Sequence, residues 1–370
     1  MPTRAHHSST VLKELIQNAD DAGATQVSFC LDRRKHGEDT LLYKGLAPWQ
    51  GPALMVYNNA KFSADDFESI SKLGGSKKGD QPWKAGQFGV GFNSVYHLSD
   101  FPSFVSGRHI VYFDPQCKFL PNVSAVNPGK RIDYVKSTAL TYYEDQFLPY
   151  CMFGCDMRTP FHGTLFRLPL RSVSQAAKSQ LFRQHYDEAN ITALFDELSE
   201  EASLCMLFLK NVETIKFYDW YPGCNCPCML YSCSLSSPTS QIQWHRHALT
   251  RLAQAWISPS QDNALMPKHL DSFMLKFDIQ KSAGNESMEV GLQSFLIVQC
   301  METLTSRVGA LSAVAANEYG VRLLPWVAVA AEISSDNAQV SLRCIDNGKA
   351  FCFLPLPIRT NLPIHVTGFF

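Results

Sequence analysis

The chain has 370 residues and the composition of a folded, nearly neutral protein. Hydrophobic residues make up 45% of it and charged residues 18%, which excludes extensive disorder, and the length suggests two domains. The formal net charge of −1 gives no argument for binding nucleic acid or an anionic membrane. No apolar run is long enough to span a bilayer, and residues 1–10 lack the apolar core of a signal peptide. We therefore expect a cytoplasmic protein whose cysteines are reduced.

The first predicted element is an amphipathic helix. Its apolar residues recur at helical spacing: Leu12, Leu15, Ile16 and Ala19. Gly23 is a typical residue to end it. At about 100° per residue, Glu14, Asn18 and Asp21 fall within roughly 60° of one another on another side. A carboxylate there can orient a water and an amide oxygen can ligate Mg²⁺, although an ordinary exposed polar side is the alternative interpretation.

The following elements of the first half are mainly strands. Alternation and apolar runs predict strands at 26–32, 53–57, 104–105, 109–113, 163–168 and 212–220. Residues 63–73 are predicted to form a helix with Ser63 as N-cap, and the pattern is again helical from 172 to 209. The result is an α/β fold.

The second half has a different pattern. It contains strand candidates at 229–235, 272–279, 292–301, 326–333, 340–345 and 349–355. We therefore predict a nucleotide-binding domain over residues 1–225 and a strand-rich, mainly β or α/β domain over residues 226–370. Helix 1 starts almost at once and residues 362–370 resemble an unfinished strand, so we expect the chain to be a piece of a longer polypeptide.

A glycine-rich turn lies between these elements. Gly86, Gly89 and Gly91 let the backbone turn sharply and present N–H donors to phosphate oxygens, and residues 91–96 would begin a helix behind it. Lys77, in the preceding basic loop, could reach a phosphate. Taken alone, such a turn is weak evidence, and a solvated basic loop is the alternative.

A third motif is Gly163-Thr164 at the start of a strand. A threonine turned inward there can hydrogen-bond a base or a water, although a β-branched residue in a strand is ordinary.

The order of these three motifs resembles the GHKL superfamily of gyrase B, histidine kinases, mismatch-repair ATPases and the ninety-kilodalton heat-shock chaperone. The glycine turn is most similar to the chaperone branch, and residues 12–24, 56–60 and 89–97 are most similar to the chaperone-like repeat modules of the sacsin family. The resemblance implies a Bergerat-type two-layer α/β sandwich, with a mixed sheet and helices on one face.

The resemblance also implies roles for the motif residues. Glu14 would be the water-activating base, Asn18 the Mg²⁺ ligand, and Asp21 a wall residue near the ribose of ATP or ADP. Thr164 would support the adenine end. The phosphates would contact the glycine turn and its neighbours: Gly86, Gly89, Gly91, Phe92 and the lid residue Lys77.

One departure from the superfamily pattern predicts weak binding. The superfamily has Asp-x-Gly-x-Gly at the end of its second strand, where the Asp accepts a proton from the adenine amino group. By alignment, this chain has Tyr57 at the Asp position, and both glycines are replaced. A lost hydrogen bond of this kind costs on the order of 1.5–3 kcal/mol, or about tenfold or more in affinity.

Three functions are compatible with these residues. The first is a chaperone or co-chaperone module that binds nucleotide weakly and assists client proteins, with the seventy-kilodalton heat-shock chaperone system as a possible partner. The second is a competent ATPase with Glu14 as base. The third is a degenerate scaffold that mediates protein interactions.

Two further groups of residues carry less information. The run from Cys224 to Cys233 has spacings that fit a zinc site poorly, so free thiols in a surface turn are favoured over metal binding. In some superfamily members the next domain supplies a cation to the terminal phosphate, but no motif selects among Arg322, Arg343 and Arg359.

Overall fold

The structure is a computed structural model that describes residues 6–71, 91–236, 239–257, 269–282, 288–302, 306, 324–336, 339–343, 345 and 347–368. These residues group into two compact units that interleave along the chain. The first holds residues 6–71, 91–200 and 214–232, and the second holds 201–213 and the described residues from 233 onward. The boundary at residue 225 stays a prediction. Across the described parts, no helix has both the length and the apolar character needed to cross a bilayer.

The first unit is built on a mixed sheet. Its strands lie in the order β7 (Thr214–Trp220), β1 (Gln26–Asp32), β2 (Ala53–Asn58), β6 (Phe161–Pro169), β3 (Ser103–Gly107), β4 (His109–Phe113) and β5 (Gly129–Asp133). Strands β1 and β7 run parallel, whereas the other neighbours are antiparallel. This arrangement confirms the predicted mixed α/β fold class.

The α-helices of the first unit are α1 (His6–Asp21), α2 (Ala64–Ser71), α3 (Ala139–Tyr142), α4 (Glu144–Phe147), α5 (Val173–Lys178) and α6 (Glu188–Glu200). Short 3₁₀ helices cover Lys44–Trp49, Gly91–His97 and Leu148–Tyr150. The helix predicted over 172–209 is interrupted after α5 because Ser179 is extended and donates its hydroxyl to buried Asp100 at 2.9 Å.

The two faces of this sheet are covered differently. On one face, here called the helix face, Phe195 of α6 lies 6.3 Å from Phe29 and Phe92 lies 5.9 Å from Phe166, measured between ring centroids. Helix α1 contacts both α6 and the 3₁₀ helix at Gly91–His97, so it lies on the helix face as well. The opposite face carries the alternate residues of the same strands, such as Met55 and Leu165, which pack against the connections that include α3 and α4.

The second unit is mainly β, as predicted. Its sheet has the order β9 (His269–Ser282), β10 (Met288–Met301), β11 (Trp326–Asp336), β15 (His365–Gly368), β13 (Lys349–Cys352) and β14 (Leu354–Arg359), and β12 (Gln339–Leu342) pairs with β11. Strand β8 (Cys228–Leu235) precedes it in the chain, and its helices are α7 (Ala202–Met206), α8 (Ser240–Arg246) and α9 (Ala248–Ile257).

Two details of the second unit differ from the sequence-based expectation. The strand predicted at 349–355 is broken into β13 and β14 because Phe353 adopts a positive φ of 62°. Helices α8 and α9 were not predicted; Thr239 caps the first of them, accepting the Ile242 N–H on its hydroxyl at 3.2 Å.

Candidate functional site

Helix α1 has the two-sided character that its sequence predicts. The four apolar residues Leu12, Leu15, Ile16 and Ala19 are at most 4% exposed. Glu14, Asn18 and Asp21 are half-buried. Since α1 is continuous from His6 to Asp21, these three side chains project within roughly 60° of one another. The structure therefore brings the predicted base, metal ligand and wall residue to one edge of a helix that packs on the sheet.

The end of α1 is fixed by a Schellman motif. Ala24 N–H donates to Ala19 C=O at 2.9 Å and Gly23 N–H donates to Asp20 C=O at 3.0 Å. Gly23 has a φ of +82°, which a glycine adopts without strain. Asp21 is thus the last helical residue, and the predicted stop at Gly23 is confirmed.

Thr164 belongs to a buried hydroxyl pair on the helix face. Its Oγ1 lies 2.8 Å from the carbonyl oxygen of Ala60 and 2.9 Å from the Oγ of Ser106. The Ser106 hydroxyl in turn accepts the N–H of Phe62 at 2.9 Å. Thr164 therefore fixes the chain that leaves β2, and sequence reasoning missed its partner Ser106 because the two residues are 58 positions apart.

The sheet register identifies Asn58 as the residue of β2 that faces α1. Asn58 pairs with Val27 on β1 and with Thr164 on β6, so the three side chains share the helix face. Asn58 is 7% exposed, and its Oδ1 accepts the N–H of Ala60 at 3.0 Å. An amide side chain therefore occupies this position on the helix face.

Tyr57 lies on the opposite face. Its ring stacks on Phe153 with a centroid distance of 5.2 Å and lies 6.0 Å from Phe161, and burial raises the pKa of its hydroxyl. The sequence motif predicted Tyr57 at the adenine-binding position. The sheet register corrects this prediction, because the Tyr57 side chain points away from the side of the sheet that carries α1 and Thr164.

Asn59 ties the end of β2 to the start of β1. Its Oδ1 accepts the N–H groups of Thr25 at 2.9 Å and Gln26 at 3.1 Å, while its Nδ2 donates to the Thr25 hydroxyl at 2.8 Å. Asn59 therefore has a structural function of its own, which is to hold the end of β2 against the start of β1.

Gly163 is required by the packing of Tyr57. A Cβ at this position would lie 2.7 Å from the carbonyl oxygen of Asn58 and 2.8 Å from the Tyr57 ring. The first of these atoms is backbone and cannot rotate away. The glycine of the Gly-Thr motif thus allows the Tyr57 ring to cover β6.

We expect Gly163→Ala to lower the free energy of unfolding by about 1–3 kcal/mol, because the added methyl group must displace backbone. Urea denaturation measures this change. Gly51→Ala is the matched control, since a Cβ there meets no atom within 4 Å. Equal stability of the two variants would contradict the packing argument.

The glycine turn is only partly described. Lys77, Gly86 and Gly89 lie outside the described residues. Gly91 begins the 3₁₀ helix Gly91–His97, and the ring of Phe92 is half-buried, 5.3 Å from that of Phe113. Phe92 therefore anchors the start of this helix on the sheet, and its predicted contact with nucleotide stays a prediction.

A buried ion pair holds the other end of this 3₁₀ helix. Arg171, 1% exposed, donates to Asp100 at 2.6 Å and to the carbonyl of Tyr96 at 2.9 Å, and it also donates to the carbonyl of His97. Nothing in the sequence singles out this pair, because its members are 71 residues apart.

A second buried polar cluster lies at the end of β1. Asp32 accepts hydrogen bonds from Arg34 at 2.7 Å and lies 2.9 Å from the Nε2 of His36. Burial raises the pKa of Asp32, but the hydrogen bonds from His36 and Arg34 outweigh it and hold that pKa at about 2. Burial lowers the pKa of His36, against the attraction of Asp32, and the nearby charge of Arg167 lowers it further.

We expect this cluster to make the first unit less stable in acid. The folded-state pKa of Asp32 is about 2, below its ordinary 3.8, so its contribution is present above about pH 4 and lost as the pH falls through 2. His36 acts in the same direction, since its lowered pKa favours the folded state above pH 6.5.

The lowering of the pKa of Asp32 from 3.8 to about 2 corresponds to about 2 kcal/mol in the free energy of unfolding. Urea denaturation should show about half of this loss, about 1 kcal/mol, between pH 7 and pH 3 in the wild type and in the exposed variant Asp65→Asn. In Asp32→Asn the slope should be shallower, and an unchanged slope would contradict the assignment.

The remaining candidates are placed as follows. Cys224, Cys226 and Cys228 are exposed, whereas Cys233 is buried in the core. Among the residues that the structure describes, no group of three His, Cys, Asp or Glu side chains is placed to hold a metal ion. Arg343 pairs with Glu332 at 3.1 Å, and Arg322 lies outside the described residues.

With this geometry in place, the comparison with known proteins gives the family. Residues 3–232 match the family described as the Sacsin domain. The chain belongs to the sacsin domain family. It is 34% identical over 380 residues to human sacsin, a match that covers 97% of the chain but only 8% of that relative. The resemblance to sacsin-family modules is therefore confirmed.

Solved structures are similar only at a distance. The N-terminal domain of a DNA repair protein has a TM-score of 0.33 and 9% identity, covering 97% of this chain and 82% of that one. The B-subunit of DNA gyrase from Myxococcus xanthus has a TM-score of 0.31 and 9% identity, covering 80% of this chain and 62% of that one.

Proposed function

We propose that this sacsin-family chain is a chaperone or co-chaperone module that binds ATP or ADP with Mg²⁺ weakly. In this proposal the nucleotide is a conformational ligand, and the module assists the folding or assembly of client proteins in the cytoplasm. The seventy-kilodalton heat-shock chaperone system is the proposed partner.

The observation that supports nucleotide binding is the convergence of α1 and the sheet on one face. The half-buried edge formed by Glu14, Asn18 and Asp21 belongs to α1, which contacts α6 and the 3₁₀ helix on the side of the sheet that carries Asn58 and Thr164. Amide and carboxylate oxygens are hard donors of the kind that Mg²⁺ prefers, so the donor set fits this ion. When bound, Mg²⁺ would neutralise phosphate charge at this edge.

Each residue then has a stated part in the proposal. Asn18 would hold the ion through its amide oxygen, Glu14 would orient a water and accept its proton, and Asp21 would face the ribose. Thr164 would support the adenine end from below, and Gly91 and Phe92 would continue the phosphate-binding turn formed by Gly86, Gly89 and the lid residue Lys77.

The weakness of binding follows from Asn58. An amide offers the adenine amino group a neutral acceptor, whereas a carboxylate would make a charge-assisted bond that is about twice as strong. The Asn58 Oδ1 is also already bonded to the N–H of Ala60. We therefore expect a dissociation constant well above the low-micromolar range.

Calorimetric titration with ATP and with ADP, each in the presence and in the absence of Mg²⁺, tests this proposal. We expect Asn18→Ala to weaken Mg²⁺-dependent binding by about tenfold or more, because it removes an ion ligand. Gln17→Ala is the matched control. This neighbouring amide is also half-buried, but it projects about 100° from Asn18, on the far side of Asp21. Absence of binding by the wild type, or equal effects of the two variants, would contradict the proposed site.

The ATPase alternative is tested separately. Steady hydrolysis that is abolished by Glu14→Gln would establish catalysis. Binding without turnover above background would leave the nucleotide as a conformational ligand, and neither binding nor turnover would favour a scaffold.

A further inference from the structure

The second unit has a sheet face that is apolar and open. The pairing of β9, β10 and β11 puts one set of aliphatic residues on the same side, here called the open face: Leu270, Met274, Val290, Leu292, Leu296, Val298, Val327 and Val329. Leu270 is 68% exposed, Leu292 63% and Val290 75%. Exposed apolar surface of this kind is characteristic of an interaction site.

The open face is not the core of the unit. The alternate residues of the same strands form that core: Leu275, Phe277, Phe295, Ile297 and Ala328 are each at most 1% exposed. An antiparallel sheet with one packed face normally presents polar residues on the other. Among the residues that the structure describes, Leu270, Val290 and Leu292 of the open face therefore lie outside this core.

The charges on the open face identify what it fits. Over the described residues of β9, β10 and β11, this side carries one cation, Lys276, and one anion, Asp278. They are two positions apart on β9 and both are exposed. A surface with one charge of each sign side by side is complementary to a copy of itself turned by a two-fold rotation.

We propose that the open face binds the open face of a second copy of this chain, so that two sheets pack face to face about a two-fold axis. Lys276 then lies against the partner's Asp278, and Asp278 against the partner's Lys276. The aliphatic residues beside these pairs, Val290, Leu292 and Leu296, interdigitate with those of the partner, as in a β-sandwich.

The size of the open face sets the strength of the contact. From Leu270 to Asp278 along β9 and across the three strands β9, β10 and β11, it measures roughly 27 by 14 Å. That footprint is about half of the ~800 Å² per partner of a typical stable complex. The dimer is therefore weak and reversible, and it forms without nucleotide.

Sedimentation equilibrium of the whole chain over a wide concentration range tests this inference. The wild type should pass reversibly from monomer to dimer. Lys276→Asp alone and Asp278→Lys alone should each raise the dimer dissociation constant by about tenfold or more, because like charges then face each other. An equimolar mixture of these two variants should form a heterodimer, since opposite charges face each other again.

A second pair of variants separates the open face from general effects of surface charge. Leu292→Glu, beside Asp278 in the register, should also abolish the dimer, whereas Val126→Glu, at a position 93% exposed in the first unit, should leave it unchanged. Circular dichroism checks that each variant is folded. A wild type that stays monomeric, or a dimer that is indifferent to Leu292→Glu and to both charge reversals, would overturn the inference.

Discussion

Arg171→Ala is expected to lower the free energy of unfolding of the first unit by about 3–5 kcal/mol, because it breaks a buried ion pair and leaves a carboxylate without its cation. Arg171 and Asp100 are 1% and 2% exposed, and their charged atoms are 2.6 Å apart. The variant also removes the donors that bind the carbonyl groups of Tyr96 and His97.

Urea denaturation, followed by tryptophan fluorescence, measures this effect. Arg158→Ala removes an exposed arginine from the same unit and should change stability by less than about 0.5 kcal/mol. Arg171→Met combined with Asp100→Leu should cost less than the sum of the two single changes, because no buried charge is then left unpaired. A loss of less than about 1 kcal/mol in Arg171→Ala would show that the pair is not a stabilising contact.

The same ion pair connects stability with the proposed site. The 3₁₀ helix that it holds begins at Gly91, the last glycine of the predicted phosphate-binding turn. Arg171→Lys keeps the charge but loses the planar fork that reaches a carboxylate and two carbonyl groups. We therefore expect an intermediate stability for this variant, together with weaker nucleotide binding.

Asn58→Asp is expected to tighten the binding of ATP and ADP by about tenfold or more, because it restores a charged acceptor on the face that Thr164 shares. The N–H of Ala60 still has an acceptor in this variant, so the local fold is retained. Calorimetric titration of Asn58→Asp and of the wild type measures the change.

Tyr57→Asp tests whether the sheet register or the sequence motif identifies the residue that faces the base. It removes a ring that stacks on Phe153 and places a carboxylate on the opposite face. We expect no gain in affinity and a loss of about 2 kcal/mol in stability. Tighter binding by Tyr57→Asp and none by Asn58→Asp would mean that the alignment, and not the sheet register, identifies the base-facing residue.

Local sequence patterns predicted the parts of the site that lie within one element. The apolar period of α1 and the stop at Gly23 could be read directly, since both depend on neighbours a few residues away. The capping of α2 by Ser63, which accepts the Asp66 N–H at 3.2 Å, was likewise predictable.

Features that depend on distant residues could not be predicted in this way. Strand β2 is apolar on both sides, so its sequence does not show whether Tyr57 or Asn58 faces α1. That choice is made by the register with β1 and β6. The pairing of Arg171 with Asp100 and the break at Phe353 are set by tertiary contacts and a backbone conformation for which no short-range pattern exists.

The hydrogen bonds of Asn59 offer a spectroscopic reporter for the contact between β1 and β2 beneath the proposed site. The amide protons of Thr25 and Gln26 are bound by a side chain rather than by a neighbouring strand, so their exchange with deuterium depends on that single residue. Slow exchange at these two amides would show that β1 and β2 stay joined in solution. Because this exchange measurement needs no ligand, it reports on the contact between β1 and β2 independently of the affinity for nucleotide.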